Sequence, residues 1–190
     1  MYLKNYILQK TQKLYIISLM KIKTLIHTAF VAEAKAIIKK LNLTCKQKTP
    51  YNIYASDEAA LIVSGIGAEN TKNALLFAQK FYTPEVFINF GIAGCSDKNI
   101  KIGELFCVNL ENLDIKFATI SSHQNPITNR ENIHTLLVDM ESEAFLKYTP
   151  KNAKKYVFKV VSDYLDNKIL SKNEVNSLVQ KSLNEWIKYA

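Results

Sequence analysis

The residues with an evident chemical use are acids and glycines that follow directly on buried-strand sequence. The stretch Leu136-Leu137-Val138-Asp139-Met140-Glu141-Ser142-Glu143-Ala144-Phe145 runs from β-type apolar residues onto acids and then into helix-favouring sequence. It reads as a buried strand whose carboxyl end hands Met140 and Glu141 to a helix N-terminus. In open α/β sheets ligands bind in the crevice outside the carboxyl ends of the strands, so Met140 and Glu141 stand where a ligand can be held. Three further strand ends carry comparable residues: Glu33, just past a first strand; the Gly91-Ile92-Ala93-Gly94 turn after Glu85–Phe90; and Ser162-Asp163, after Tyr156–Val161. Each also has a structural reading. Asp139, Glu141 and Glu143 are dipole-favoured acids of a first helical turn; Glu33 is a solvated first-turn acid; Asp163 is a helix cap; Gly65 and Gly67 are turn residues. Taken together, the four strand ends describe a polar floor at one sheet edge.

The elements that must position this floor follow from the pattern of apolar residues. Lys23–Ala29 reads as the first strand, and Val31–Leu41 as an amphipathic helix with Val31, Ala34, Ile37, Ile38 and Leu41 on one face. Asn52–Ser56 and Ala59–Val63 read as strands parted by a turn at Asp57-Glu58. Ser64-Gly65-Ile66-Gly67 then leads into a helix over Ala68–Phe81, with Ala74, Leu75, Ala78 and Phe81 on one face. After Glu85–Phe90 come expected strands at Ile102–Val108 and Ile115–Ile120, and a polar loop at Ser121–Glu131. A closing helix runs from Ser171, with Glu174 at the capping-box spacing. Strands alternating with helices predict a three-layer α/β sandwich around a central mixed, mostly parallel twisted sheet.

Bulk composition narrows the class. A chain of 190 residues, 48% hydrophobic and 22% charged, suits one soluble globular domain. No run approaches the roughly 18 consecutive apolar residues of a membrane helix, so no membrane partner is expected. The net charge of +8 comes from scattered lysines, with Arg130 the sole arginine. Base readout and bidentate phosphate binding favour arginine, which argues against nucleic acid. Cys45, Cys95 and Cys107 fit neither a disulfide framework nor a C-x-x-C site, and His27, His123 and His134 are isolated. A reduced, cytoplasmic setting without a metal is the expectation. Residues 1–19 carry lysines, no acids and only short apolar runs. They read as a loose extension before Met20-Lys21-Ile22-Lys23, which looks like a fresh start to a single domain over residues 20–190.

In order along the chain, Met20–Glu33, Ser64–Gly67, Phe87–Gly94, Lys101–Leu105, Val138–Glu141 and Val160–Asp163 resemble the nucleoside phosphorylase superfamily. The similarity is greatest to its methylthioadenosine/S-adenosylhomocysteine nucleosidase branch. That resemblance implies a purine nucleoside as ligand, a place in purine nucleoside metabolism such as methionine salvage, no metal or organic cofactor, and homodimer pairing. It implies roles as well. Glu141 would hold the ribose hydroxyls while Met140 packs against the sugar; Asp163 would carry a proton toward N7 of the leaving base; Glu33 would orient and deprotonate the attacking water. Ile92, Ala93, Gly94 and Ser162 would line the substrate site. Cleaving an N-glycosidic bond develops positive charge on the sugar and negative charge on the base, and a positioned acid typically contributes about 10²–10⁴-fold to such a step. The two catalytic carboxyls must differ in protonation, so their surroundings must push their pKa values apart.

Phosphorylases of the superfamily bind phosphate with arginines, and no arginine stands near a matching strand end here. Hydrolysis is therefore favoured, with phosphorolysis and a non-catalytic nucleoside-binding role as the alternatives. The chain departs from the family pattern at four places. Ile92 stands where nucleosidases commonly have serine, and Lys159 replaces an arginine four residues before Asp163. The connection after Val108 is short by about a helix and its flanking loops, a region that usually helps form the subunit contact and cover the 5′ group. The base-stacking aromatic has no counterpart in Ser121–Asn129, where only Pro126 and Ile127 are apolar.

Overall fold

The structure, a computed structural model, describes residues 19–166 and 168–190. The expected extension over residues 1–19 lies, apart from Leu19, outside the described residues.

Five consecutive apolar positions in Ala59–Val63, all buried, are what a strand covered on both faces requires. This strand, β4, pairs in parallel with β1 (Met20–Thr28), which pairs in parallel with β5 (Tyr82–Cys95), which pairs in parallel with β9 (Lys154–Asp163). Around these four, β3 (Asn52–Ala55) and β2 (Thr44–Gln47) extend one edge antiparallel. On the other side β8 (Leu137–Asp139) pairs with the end of β5, β7 (Ile120–Ser122) pairs with β8, and β6 (Leu105–Cys107) pairs with β9. The result is one mixed sheet in the order β2-β3-β4-β1-β5-β8-β7, with β9 and β6 branching from β5.

Side-chain alternation along each strand divides the core into two layers. Leu25, Ile62 and Phe87 face one side, where Ala74, Leu75 and Ala78 of α2 (Ala68–Ala78) and Phe145 of α3 (Ser142–Tyr148) cover them. Ile26, Leu61 and Ile88 face the other, under Ala34 and Ile37 of α1 (Val31–Lys40) and Val179, Leu183 and Trp186 of α4 (Lys172–Trp186). Trp186 stacks on Phe90 at 4.6 Å, fastening the closing helix to the central strand. The sheet with helices on both faces is the predicted three-layer sandwich.

Local chemistry explains the helix ends. α1 starts with Glu33 in its first turn, finishes with Lys39 and Lys40 in its last, and stops where Asn42 turns left-handed at φ 51°. α4 starts at the predicted capping box: Ser171 Oγ accepts from the Glu174 N–H, and the Glu174 carboxylate accepts from the Ser171 N–H.

Three expectations need correction. Gly91–Gly94 is not a turn. β5 runs straight through it, because β9 pairs with it from Val86 to Gly94, with a register shift after Ala93, and β8 pairs with it as well at Gly94 and Cys95. Available strand partners override the low strand preference of glycine. Of the two strands expected over Ile102–Val108 and Ile115–Ile120, the first forms only at Leu105–Cys107. The second is reduced to a single bridge between Cys107 and Phe117, pairing resuming at Ile120–Ser122. Finally, Asp163 caps no helix; it ends β9, and α4 begins nine residues later.

Candidate active site

The carboxyl ends of β1, β5, β8 and β9 meet at a cleft of about 500 Å³. Of the predicted site residues, Ile92, Ala93, Gly94, Met140, Glu141, Ser162 and Asp163 line it. Glu33 sits just behind the wall: its Oε1 accepts the Ile92 N–H at 3.0 Å and its Oε2 accepts the N–H groups of Ala29 and Phe30 at 3.0 and 2.8 Å. Ile92 and Phe30 both face the cleft. A side chain at Gly91 would crowd this arrangement, its Cβ lying 3.0 Å from Glu33 Oε1 and 3.3 Å from Lys159 Nζ, so that these groups would have to give by a few tenths of an ångström.

Each carboxylate is held by its own local structure. Glu141, the residue before α3, has Oε1 bonded by the Gly67 N–H at 2.8 Å, which ties the Ser64–Gly67 loop to the far side of the cleft. Gly67 takes φ 95°, a conformation that only glycine adopts freely. Asp163 is clasped by the Ser162 hydroxyl at 2.6 Å and the Leu165 N–H at 2.9 Å. Arg130 secures the same turn by donating twice to the Tyr164 carbonyl, at 2.9 and 2.7 Å.

Electrostatics beneath the cleft centre on Lys159, which is 1% exposed. Its ammonium lies 2.8 Å from Asp139 Oδ2. Burial opposes the charge on Lys159, and Asp139, Glu141 and Glu33 together raise its pKa above the ordinary lysine value. Burial likewise pushes Asp139 upward, but Lys159 and the hydroxyls of Ser122 and Ser142 outweigh it and hold that carboxylate below its usual range. For Glu33 the balance reverses. Burial raises it to about 7 despite the Phe30 and Ile92 N–H bonds and the charge of Lys159, and Glu141 adds to the rise. Burial raises Glu141 too, against Lys159. A carboxyl that ionises near neutral pH is suited to take a proton in one step and return it in the next.

Sequence reasoning passed over several of these residues. In the family pattern Lys159 stands out only as a replacement for arginine. Its position in the otherwise apolar Val157-Phe158-Lys159-Val160-Val161 was a readable signal, because a buried lysine must be paired. Asp139, read as a first-turn acid, is its ion-pair partner. His27, taken as isolated, is fully buried and held near pKa 3 by burial and by Lys159. The Asn89 amide donates to its Nδ1 at 2.8 Å, which leaves the proton on Nε2, 2.8 Å from Ser64 Oγ at the root of the Ser64–Gly67 loop. The polar loop contributes Asn125–Thr128 to the cleft wall, with Pro126 and Ile127 as its apolar part. Among the described residues no cluster of His, Cys, Asp and Glu suited to a metal ion occurs, and no helix is long and apolar enough to cross a membrane.

No family model matches the sequence, and no curated protein matches it. Solved structures do match in fold. The 5′-methylthioadenosine/S-adenosylhomocysteine nucleosidase of S. pneumoniae, solved with a transition-state inhibitor, is 14% identical; the alignment covers 86% of this chain and 96% of that one, with a TM-score of 0.73. The futalosine hydrolase of Helicobacter pylori is also 14% identical, covering 89% and 98% at a TM-score of 0.73. The Chlamydia trachomatis nucleosidase bound to adenine is 20% identical, covering 88% and 98% at a TM-score of 0.70. The mixed sheet with its two helical layers is therefore the nucleoside phosphorylase-like fold of these nucleosidases.

Proposed function

We propose that the protein hydrolyses the N-glycosidic bond of a purine nucleoside or a 5′-substituted adenosine. The observation that carries this reading is the convergence of three acids, remote in sequence, on one cleft: Glu141 and Asp163 in its wall, and Glu33 directly behind Ile92 and Phe30. The fold shared with solved nucleosidases supports it.

In this mechanism Glu141 accepts the ribose hydroxyls, with Met140 against the sugar. Asp163 holds a proton at N7 of the purine, so that the base leaves without a full negative charge. Glu33 takes a proton from water as its oxygen bonds to C1′. The C1′–N9 bond breaks, its electron pair stays with the base, and the products are free purine and the free sugar. Glu33 has then gained the proton that Asp163 lost, and exchange with solvent restores both. Neither Glu33 nor the remaining acids of the cleft favour a phosphate nucleophile, and the one arginine is committed to the Tyr164 carbonyl.

The test is release of free base from adenosine, methylthioadenosine, S-adenosylhomocysteine and inosine, with and without phosphate. Phosphate-independent release from at least one is expected. Turnover that requires phosphate selects phosphorolysis instead. Binding without turnover leaves a nucleoside-binding protein.

A further inference from the structure

His27 is a buried titratable side chain that the proposed chemistry does not use. It has no exposed surface and stands in β1 directly across from Asn89 of β5. Burial and the charge of Lys159 hold it near pKa 3, so the imidazole is neutral. The neutral ring joins a one-way chain of hydrogen bonds. The Asn89 amide donates to Nδ1 at 2.8 Å, Nε2–H donates to Ser64 Oγ at 2.8 Å, and the Ser64 hydroxyl donates to the Gly65 carbonyl at 2.6 Å. Each bond in such a chain polarises the next. Among the described residues Asn89 Oδ1 is buried without a partner, so the cost of burying that amide is set against its bond to His27.

The chain ends on the most yielding part of the cleft wall. Gly65 and Gly67, at φ 88° and 95°, flank Ile66, and glycine leaves a loop more conformations than any other residue. Ser64 anchors the near end of this loop, and at the far end the Gly67 N–H bonds Glu141 Oε1 at 2.8 Å. His27 also packs against Phe145 of α3, with ring centres 6.0 Å apart, and α3 begins directly after Glu141. The loop and the helix that hold Glu141 therefore meet at one imidazole.

We infer that His27 is a positioning residue for Glu141: through Ser64 it fixes the Ser64–Gly67 loop, so that Gly67 occupies Oε1 and Oε2 is left for the ribose hydroxyls. The inference rests on the nucleoside reading above. A carboxylate fixed in this way recognises a 2′ hydroxyl by its position, whereas one free to turn loses much of that discrimination. His27 thus sets the preference for ribose over 2′-deoxyribose without touching the sugar.

The test compares the wild type with His27→Gln, His27→Asn and Ser64→Ala. Glutamine is long enough to place an amide N–H where Nε2 stands, while asparagine reaches only toward Asn89. In the free proteins, hydrogen exchange is read at the Gly67 amide. His27→Gln is expected to exchange like the wild type, and His27→Asn and Ser64→Ala about tenfold faster, the effect of one hydrogen bond. Calorimetry then uses a carbon-linked adenosine analogue, whose base is joined to the sugar through a carbon–carbon bond that hydrolysis does not break, and its 2′-deoxy counterpart. The wild type and His27→Gln are expected to bind the ribose form about tenfold more tightly, as a hydrogen bond to a charged acceptor supplies. His27→Asn and Ser64→Ala are expected to lose most of that ratio while binding the deoxy form as before, which a fall in stability alone would not produce. Should His27→Asn fail to fold, Ser64→Ala breaks the same bond from the loop side. Unchanged Gly67 exchange or an intact ribose preference in Ser64→Ala, like behaviour of the glutamine and asparagine variants, or failure of both analogues to bind the wild type overturns the inference. Base release with the preference intact in Ser64→Ala removes the role of His27 alone. Loss of the preference together with no base release from any nucleoside leaves that role standing and removes the hydrolase reading alone.

Discussion

The ammonium of Lys159 lies 2.8 Å from the carboxylate of Asp139, and each side chain is only 1% exposed. This pair sits beneath the candidate site, and the charge of Lys159 reaches Glu33 and Glu141 as well. Lysine presents a single point charge, unlike the planar fork of arginine, so it commits to one close partner and acts on the other two acids through space.

Removing that cation strands a buried carboxylate. Lys159→Met is expected to destabilise the fold by roughly 3–5 kcal/mol, the usual cost of breaking a buried pair from one side. The double variant Lys159→Met/Asp139→Leu is expected to recover most of that loss. Chemical denaturation of the two variants measures both.

Glu33 should govern the pH dependence of turnover. With its pKa raised to about 7 and the ionised form acting as base, kcat/KM is expected to rise with pH and level off above that value. Glu33→Gln is expected to lower kcat by about 10²–10⁴-fold and to abolish this acid limb. A pH–rate profile on both proteins is the check.

The same carboxyl makes a statement about stability. Its folded pKa of about 7 lies above the ordinary 4.5, so the native state binds the proton more tightly than the unfolded chain does. This contribution is therefore fully favourable below pH 4.5 and fades as pH rises toward 7. Unfolding free energy measured across that window is expected to fall in the wild type more steeply than in Glu33→Gln.

Asp163 is separable from Glu33 by the choice of leaving group. Asp163→Asn is expected to slow release of a purine by about 10²–10⁴-fold, the range of general acid catalysis. A riboside of nitrophenol, which departs without protonation, should lose far less. Parallel assays of the two substrates on the variant decide whether the acid acts at the base.

Gly91→Ala tests the closeness of the packing behind the cleft. The new methyl group would press on Glu33 Oε1 and Lys159 Nζ. A fall in both melting temperature and kcat is expected, with KM moving less. Unchanged kinetics in a folded variant would show that the Glu33 carboxylate can shift without consequence.

Much of this was legible along the chain. Five-residue apolar runs announced strands covered on both faces, the helical spacings picked out the covering faces, and acids placed just after those runs marked the carboxyl edge where ligands gather. These features are local, because a strand's alternation and a helix's first turn are written in adjacent residues. Other features required partners distant in sequence. Whether Gly91–Gly94 bends or continues depends on whether β8 and β9 supply hydrogen bonds. Lys159 could be recognised as buried, but only the sheet brings Asp139 to it, with Glu33 and Glu141 close enough to feel its charge. His27 looked isolated until Asn89 and Ser64 closed around it. The cavity of about 870 Å³ between α1, α4 and the loop before β3 has no sequence signature, since these elements meet only after the sheet has ordered them. Local patterns determined the elements and the edge that carries the chemistry. Tertiary packing decided which charges face one another, because electrostatic coupling depends on distance and burial rather than on position along the chain.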